Sequence, residues 1–440
     1  MKGLPEPFVQ RMSRQLGKEL PDLLHAMESE PVRGIRMNRM KPFEGMDAYL
    51  QLERIPWEGD GYYLEQESTA GATIFHEAGA FYLQEPAAML PGAVMDAQPG
   101  ERILDLCAAP GGKATQMGLQ MRGEGILVCN DPVLKRAQIL SRNLERIGIP
   151  NSVVVNAFPS DLPHSWDEWF DGVLVDAPCS GEGMFRRDPE TRAEWTPEHA
   201  AGCAKRQGEI LDEAARMVRK GGRLVYATCT YNPEENEETV NRFLQKHPEY
   251  APEPFELPGA DGRTGMLLCL PHRMKGEGQF VAKLRKKGAG SSPIHKNSFA
   301  AVLPEEAALL TEQIPGIPVP NRKFGHTMIR ISDCPEIRGI HVLRAGLQIA
   351  EMRGKNPIPD HAAAMSILKN EISCAAADAE QAARYISGQE INGDAKGWIL
   401  LQYRGIVIGW GKGSGGKIKN HYPKGLRKER ILTGTGEWNG

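Results

Sequence analysis

With 440 residues the chain is long enough for two to four domains, and its 41% hydrophobic and 25% charged residues are ordinary for a globular protein. The net charge of −3 excludes a molecule that binds polyanions through its overall charge. Eight cysteines without a Cys-x-x-Cys pair argue against a zinc ribbon and a disulfide framework, so we expect reduced thiols and no metal site. No stretch resembles a signal peptide or a membrane span, which indicates a cytoplasmic protein.

Residues 1–95 open with an amphipathic, helix-like stretch and continue in short mixed segments, which indicates an N-terminal α+β extension. Residues 96–287 alternate strand and helix patterns. The predicted strands are ERILDLC, ILVCND, SVVVN, DGVLVDAP, GGRLVYATC and GQFVAKLRK, and the predicted helices are KATQMGLQMR, PVLKRAQILSRNLERIG, a stretch near 197–219 and PEENEETVNRFLQKH. Strands separated by helices of this length predict a doubly wound parallel sheet of the Rossmann-like α/β class.

The chain changes character after the last of these strands. Residues 288–299 lie in a polar stretch with Gly and Ser, and we interpret them as a linker. Residues 300–440 contain short strand patterns such as GWILLQYRGIVIGWG and many glycines. This composition predicts a small, mostly β module as the C-terminal domain.

Chemically interesting residues follow several of the central strands. Ligands on doubly wound sheets bind beyond the carboxyl ends of the strands. The loop CAAPGGK (107–113, the cofactor loop), Asp131, Asp176, Cys179 and Cys229 are therefore expected on one rim of the sheet.

The cofactor loop has small residues and opens a helix, so backbone amides can approach a ligand closely. It is not a phosphate-binding P-loop, because Cys107 and Ala114 stand where that pattern needs Gly and Ser or Thr. Asp131 ends the second strand, where an acid typically accepts hydrogen bonds from ribose hydroxyls. These residues predict a nucleoside-bearing cofactor, and they leave NAD and S-adenosylmethionine both open.

Two cysteines follow neighbouring strand patterns. Asn232, Pro233 and Glu235 are typical of an N-cap, a first-turn proline and a capping box, so we expect the acids after Cys229 to serve the helix start. A single cysteine is most simply a small buried side chain. Two thiols and a carboxylate beside a cofactor loop instead favour nucleophilic chemistry.

Taken together, CAAPGGK, DAPCSGEGMF (176–185) and ATCTYNPEENE (227–237) resemble RNA cytosine-5 methyltransferases of the Sun and nucleolar-antigen group, and within it the bacterial RsmF-type ribosomal RNA enzymes. YLQEPAAMLP (82–91) resembles their lead-in to the catalytic domain. GWGKGSGGKIKNHYPKGLR (409–427) resembles their C-terminal PUA-like module. The resemblance covers nearly the whole chain.

The resemblance implies a class I S-adenosylmethionine-dependent methyltransferase core between two RNA-binding parts. Cys229 would attack carbon 6 of cytosine, Cys179 would assist product release, and Asp176 would border both base and cofactor. Asn156 stands where many relatives carry an adenine-binding acid, and an adenine contact by its amide is left open. The residues implied to hold S-adenosylmethionine are Cys107, Ala108, Ala109, Pro110, Gly111, Gly112, Lys113, Asp131, Arg136 and Asp176.

RNA contacts are expected where basic residues cluster. Residues 412–430 hold seven Lys or Arg against one Glu, which is typical of a solvated surface or of a footprint for phosphates. RNA contacts are predicted for Arg33, Arg36, Arg39, Lys412, Lys417, Lys419, Tyr422, Lys424 and Arg427, with Lys41 in the same N-terminal cluster.

Small-subunit (16S) ribosomal RNA, free or in the 30S subunit, is the substrate that the resemblance implies, with transfer RNA as the second candidate and no obligate protein partner. A DNA cytosine methyltransferase would use Cys179 as nucleophile and leaves the second cysteine unexplained. An amino-group methyltransferase is disfavoured by DAPC, and an NAD oxidoreductase is supported by the fold class alone. A non-enzymatic RNA-binding assembly factor would be expected to lack Cys229 or the cofactor loop.

Overall fold

The computed structural model describes residues 3–290, 299–366 and 371–434. Most of the predicted linker, 291–298, lies outside the described residues. Within these described ranges, no helix combines the length and the apolar character needed to cross a bilayer.

Helices occur throughout the chain, whereas the central strands are concentrated in its middle. The helices are α1 Glu6–Leu16, α2 Leu20–Glu28, α3 Met46–Leu50, α4 Ile74–Glu77, α5 Leu90–Met95, α6 Gly112–Gln120, α7 Leu134–Ile147, α8 Pro189–Glu194, α9 Pro197–Met217, α10 Glu237–Lys246, α11 Pro304–Gln313, α12 His361–Met365 and α13 Ala379–Ile386. The strands up to the predicted linker are β1 Arg33–Met37, β2 Gly61–Leu64, β3 Phe81–Leu83, β4 Arg102–Asp105, β5 Ile126–Asn130, β6 Ser152–Asn156, β7 Phe170–Asp176, β8 Val218–Thr228, β9 Tyr250–Pro252, β10 Phe255–Leu257, β11 Ala260–Gly262, β12 Met266–Cys269 and β13 Gln279–Lys286. The later strands are β14 Ala300–Ala301, β15 Arg322–Phe324, β16 Thr327–Arg330, β17 His341–Ala345, β18 Leu347–Arg353, β19 Asn356–Pro359, β20 Cys374–Ala377, β21 Ile391–Asn392, β22 Gly397–Tyr403, β23 Ile406–Ser414 and β24 Lys417–Asn420.

The centre of the molecule is a sheet in the order β12-β13-β8-β7-β4-β5-β6-β17. Strands β4 to β8 are parallel, which confirms the predicted α/β class. Successive residues of a strand, such as Ile103 and Leu104, enter different hydrophobic cores on the two faces of the sheet. Both faces are therefore covered, and this explains why the strands are continuous apolar runs rather than alternating ones.

The sheet continues beyond its parallel part on both sides. Strand β13 pairs antiparallel with β8, and β17 pairs antiparallel with β6. Because β17 comes from residues 341–345, the chain after the predicted linker adds an edge strand to the sheet of the predicted catalytic domain.

The N-terminal and C-terminal parts of the chain share a hydrophobic core. It combines residues of the β2-β1-β3 sheet with residues of the β20-β22-β23-β24-β21 sheet. Phe75 packs against Tyr403, with ring centroids 5.6 Å apart. Backbone hydrogen bonds from Ile74 N to Leu432 O (3.0 Å) and from Leu432 N to Ala72 O (2.9 Å) join the two parts. A β-rich C-terminal module is thus present, but it is fused to the N-terminal extension rather than standing apart.

Candidate active site

The carboxyl ends of β4, β7 and β8 are neighbours, so the segments that follow them meet on one rim. They enclose a cavity of about 220 Å³. Of the predicted site residues, the cavity lining includes Cys107, Ala108, Ala109, Pro110, Gly112, Lys113, Asp176 and Cys229. Other residues in its lining are Tyr82, Gln84, Glu85, Asp105, Met184, Arg187, Glu277 and Gln279. We call this space the catalytic cavity.

The two predicted cysteines are in contact. The sulfurs of Cys179 and Cys229 are 3.2 Å apart, and the backbone amide of Cys229 donates a hydrogen bond of 3.3 Å to Cys179 Sγ. The hydrogen bond to Cys229 and burial raise the pKa of Cys179 well above its usual value. Cys179 is therefore a protonated thiol at neutral pH, able to donate to the sulfur of Cys229.

An ion pair lies beside these thiols. Lys113 Nζ is 2.7 Å from Asp176 Oδ2, and both side chains are largely buried. Burial lowers the pKa of Lys113, but attraction to Asp176 and Cys229 outweighs it and raises the pKa above the usual value. Lys113 thus remains an ammonium within electrostatic reach of Cys229, a role beyond the cofactor contact predicted for it.

Asp105 is a site residue that the sequence analysis missed. It ends β4 directly before the cofactor loop, is fully buried, and receives no hydrogen bond from a described side chain. Burial and repulsion by Asp176 raise its pKa to about 8. The sequence signal for Asp105 is its position at the carboxyl end of the first parallel strand of the chain, because ligands of such sheets bind there.

The cofactor loop is held by hydrogen bonds from the next strand and helix. Ala108 N donates to Asn130 O (2.8 Å), Arg136 donates to Ala109 O (2.9 Å) and Asn143 donates to Pro110 O (2.8 Å). Gly111, at φ 109°, precedes α6, and an added Cβ there would lie 3.1 Å from Leu140. Arg136 therefore braces the loop.

Asp131 lies at the end of β5, as predicted for a ribose-binding acid. Its Oδ1 accepts a hydrogen bond from Val133 N (2.9 Å), and Arg136 lies 3.4 Å from its other oxygen. Burial raises the pKa of Asp131. For Asn156 the sequence left an adenine contact undecided. Its side-chain amide donates to the backbone oxygen of Asp131 (2.8 Å), and its side-chain oxygen is 3.4 Å from Nδ1 of His341.

The predicted capping box, with Asn232 as N-cap, Pro233 in the first turn and Glu235 as its partner, is wrong. Helix α10 begins at Glu237 with Asn236 as its N-cap residue. Glu235 is fully buried and accepts hydrogen bonds from Ser180 N (2.9 Å), from the Ser180 hydroxyl and from Gln207 Nε2 (2.9 Å). The carboxylate thus ties the loop that carries Cys179 to the loop that carries Cys229, a contact that a local sequence pattern does not encode.

A second buried carboxylate supports the same loops. Glu182 accepts a hydrogen bond from Tyr231 N (3.1 Å) and pairs with Arg11 at 2.7 Å. Through Arg11, the N-terminal helix α1 becomes part of the support of the rim.

The predicted RNA contacts divide into exposed and buried residues. Lys412, Lys417, Lys419, Lys424, Arg427 and Arg39 are exposed, and Arg33 is partly exposed. Arg36 and Tyr422 are only 2% and 4% exposed, so the prediction of RNA contact is wrong for both. Arg36 donates to Gly112 O (2.9 Å) and Thr115 Oγ1 (2.8 Å), which anchors the start of α6. Tyr422 packs against Tyr385.

Lys41, in the same N-terminal cluster, is also buried. Its ammonium donates to the backbone oxygens of Ala78 (3.0 Å) and Arg146 (2.9 Å). It therefore joins the N-terminal extension to the end of α7 instead of facing a phosphate.

Comparison with known proteins gives the family. The sequence profile of the 16S rRNA methyltransferase RsmB/F family matches residues 92–285, and the profiles of the N-terminal domain of 16S rRNA methyltransferase RsmF and of the methyltransferase RsmF PUA domain match 4–86 and 373–428. Ribosomal RNA small subunit methyltransferase F of Cronobacter sakazakii is 31% identical, over 98% of this chain and 97% of its own. The chain belongs to the RsmB/F family of 16S rRNA methyltransferases. The protein of the same name from Vibrio cholerae is 30% identical, over 98% of this chain and 99% of its own.

Solved structures agree with this RsmB/F assignment. A methyltransferase homologue from Pyrococcus horikoshii is 27% identical with a TM-score of 0.56, covering 64% of this chain and 96% of its own. NSun6 from Pyrococcus horikoshii, solved with SFG, shares the fold at 21% identity and a TM-score of 0.55, covering 66% of this chain and 100% of its own. As a family member, the chain is an S-adenosylmethionine-dependent RNA methyltransferase, which excludes the NAD oxidoreductase and the non-enzymatic factor.

The residues around the catalytic cavity fit this cofactor. S-adenosylmethionine carries a sulfonium, an ammonium group and ribose hydroxyls. The buried carboxyl of Asp105 has no side-chain donor, so a cationic group in the cavity would give it a partner and favour its ionised form. Asp131 is held in place at the end of β5 for a hydroxyl ligand. The backbone of the cofactor loop lies between these two acids.

Proposed function

We propose that the protein methylates carbon 5 of a cytosine in small-subunit (16S) ribosomal RNA through a covalent adduct between Cys229 and carbon 6. The observation that carries the proposal is the contact between the two sulfurs, 3.2 Å apart, beside the Lys113–Asp176 pair. A single buried thiol would have a structural explanation. Two thiols in contact, of which Cys229 lines the cofactor cavity, match a reaction that needs one sulfur to add and a second group to complete the release.

Cys229 acts as the nucleophile. Its thiolate forms a bond to carbon 6, which moves electron density to carbon 5 and makes that carbon reactive toward a methyl donor. The ammonium of Lys113 and the thiol proton of Cys179 both stabilise negative charge on the Cys229 sulfur. When bound, S-adenosylmethionine supplies an electrophilic methyl group. Asp176, oriented by Lys113, accepts a hydrogen bond from ring nitrogen 3 once that nitrogen has taken a proton from water, and this stabilises the adduct.

Cys179 acts after methylation. Once the Cys229 sulfur is bonded to carbon, it no longer carries charge, so its contact raises the pKa of Cys179 less and burial is the main cause that remains. Cys179 can then lose its proton to water, and the resulting thiolate takes the proton from carbon 5. The electrons of that C–H bond restore the double bond between carbons 5 and 6, and the bond from carbon 6 to Cys229 breaks.

The test is a pair of variants assayed with 16S RNA and labelled S-adenosylmethionine. Cys229→Ala is expected to abolish methyl transfer, whereas Cys179→Ala is expected to accumulate a covalent RNA–protein adduct that survives denaturing electrophoresis. Cys374→Ala changes an exposed thiol outside the cavity and is the matched control, with wild-type turnover expected. Full turnover by Cys229→Ala would refute the nucleophile assignment.

The cytosine must leave its stack to reach the cavity, so a single-stranded or flipped base is expected. Such an activity on ribosomal RNA belongs in the cytoplasm. Bisulfite sequencing of RNA from cells with and without the gene tests the substrate directly. Loss of a methylated cytosine in 16S RNA supports the proposal, and loss confined to transfer RNA contradicts it. Comparing free 16S RNA with 30S subunits in vitro identifies which form is methylated.

A further inference from the structure

A second cavity, of about 280 Å³, lies where three parts of the chain meet. One wall is the outer face of α7, with Ile139, Arg142 and Asn143. The others come from residues 76–77 of the N-terminal extension and 425–428 of the C-terminal module. We call this cavity the junction cleft. It exists only in the assembled molecule, because the shared core of the two terminal parts holds its walls together.

The charge of the junction cleft is positive. Its two carboxylates already have cationic partners, since Glu145 pairs with the buried Arg344 and Glu77 pairs with Lys428 at 3.8 Å. Arg142 and Arg427 are exposed, and neither forms an ion pair with any residue that the structure describes. Guanidinium groups without a described ion pair, on two walls of the cleft, suit the phosphates of a polyanion.

The junction cleft adjoins the catalytic cavity. The guanidinium of Arg146, in the wall of the cleft, lies 5.7 Å from the ring centroid of Tyr82, and Tyr82 lines the catalytic cavity. Asn143, in the same wall, donates a hydrogen bond to Pro110 of the cofactor loop. An RNA strand whose target base enters the catalytic cavity therefore has the junction cleft beside it.

The rim of the cleft also has an apolar element. Ile139 is 48% exposed on α7, between Arg142 and the N-terminal end of the helix. An exposed aliphatic side chain beside two arginines can contact the face of a sugar or a base, whereas a purely electrostatic surface has no need of it.

We propose that the junction cleft binds the sugar–phosphate backbone of the RNA next to the target cytosine, with Arg142 and Arg427 as its phosphate contacts. The proposal rests on the proposed function for the identity of the RNA. The strand is gripped by the methyltransferase core and the C-terminal module together. Removing the C-terminal module would also remove β17 and uncover the N-terminal core, so point variants of the full chain are the appropriate test.

The test variant is Arg142→Glu/Arg427→Glu, and the control is Lys220→Glu/Lys287→Glu, which makes the same change of charge. Lys220 and Lys287 are exposed at the end of the sheet opposite Cys229. Affinity for a 16S RNA fragment is measured over a range of salt concentrations. The cleft variant is expected to bind at least roughly tenfold more weakly, with a salt slope smaller by about two, while the control binds like wild type.

Further measurements separate the possible outcomes. In the cleft variant, KM for RNA is expected to rise while kcat and the affinity for S-adenosylmethionine are kept. Binding within roughly twofold of the control, with an unchanged salt slope, overturns the proposal. If wild type shows cleft-dependent RNA binding but transfers no methyl group, the proposed function fails and the cleft stands. If the double reversal disturbs folding, Arg142→Gln and Arg427→Gln remove one charge each, and each is expected to lower the slope by about one.

Discussion

Replacing Glu235 with alanine tests whether this buried carboxylate holds the two cysteine loops together. It accepts hydrogen bonds from the amide and hydroxyl of Ser180 and from Gln207. In Glu235→Ala these three donors lose their acceptor inside the protein. A buried donor left unpaired costs about 1–3 kcal/mol, which gives an upper range of about 3–9 kcal/mol.

Two of the donors have another acceptor nearby, which reduces this figure. The Ser180 hydroxyl lies 2.9 Å from the Thr230 hydroxyl, and Gln207 Nε2 also donates to Pro178 O at 3.0 Å. Only the Ser180 amide is left with no partner at all. We therefore expect the free energy of unfolding to fall by about 2–4 kcal/mol.

Urea unfolding measures this change, and Glu238→Ala is the matched control. Glu238 is 60% exposed and makes only an i,i+4 pair with Arg242, so its loss should cost about 0.5 kcal/mol or less. Because Ser180 follows Cys179, Glu235→Ala should also accumulate some covalent RNA adduct. A stability equal to that of Glu238→Ala, with normal product release, would refute the role given to Glu235.

Three further predictions follow from buried contacts. Gly183→Ala places a Cβ 2.8 Å from Gly278 O and 2.9 Å from Cys229 O, so it should destabilise the protein by about 1–3 kcal/mol and slow methyl transfer. The control is Gly202→Ala, whose Cβ enters open space on α9. Thermal unfolding should show that this control is neutral or stabilising. Arg186→Ala leaves Glu277 buried without its charge partner, so urea unfolding should show a free energy of unfolding lower by about 3–5 kcal/mol. The double variant Arg186→Ala/Glu277→Gln should regain part of this stability. No gain would argue against the ion pair. The pKa of Asp105 is about 8 in the folded state, against 3.8 ordinarily, so the folded state binds the extra proton and the free energy of unfolding should fall as pH rises between these values. Unfolding measured at pH 5 and pH 8 should show that Asp105→Asn removes this fall. An unchanged pH dependence in the variant would contradict the burial argument.

The position of the rim could be predicted from the sequence because the rule behind it is general. Parallel strands joined by helices bring their carboxyl ends together, and this rule predicts that the cofactor loop, Asp176 and Cys229 lie side by side. The contact between the two sulfurs also needs the strand register. Asp176 of β7 pairs with Ala227 of β8. Cys179 comes three residues after Asp176 and Cys229 two residues after Ala227, so the register brings the two cysteines to the same height above the sheet.

The orientation of individual side chains could not be predicted in the same way. In a strand with one solvated face, alternate residues face solvent, and a basic cluster around β1 then suggests an RNA surface. Both faces of β1 are covered, so Arg36 is enclosed and bonds to the start of α6. A local pattern likewise suggested a capping role for Glu235, while its true partners, Ser180 and Gln207, are 55 and 28 residues away.

Long-range pairing also decides how the RNA-binding parts relate to the core. The boundaries 1–95, 96–287 and 300–440 remain a prediction about sequence units, yet β17 pairs with β6 across some 185 residues and the terminal parts share one core. No periodicity within either segment encodes such pairing.

The register of β7 and β8 connects the fold to the chemistry. A one-residue slip between two strands reverses the face to which every side chain points. Such a slip would separate the sulfurs and also move Ser180 away from Glu235, so the same pairing that buries the apolar runs of β7 and β8 sets the nucleophile against its partner. The two loops are joined by a backbone hydrogen bond from Gly183 N to Cys229 O (2.8 Å), and buried carboxylates supply further contacts between them. Glu235 and Glu182 therefore hold the two loops in position, as the strand register holds β7 and β8. Loss of either carboxylate should impair catalysis while the sheet stays intact.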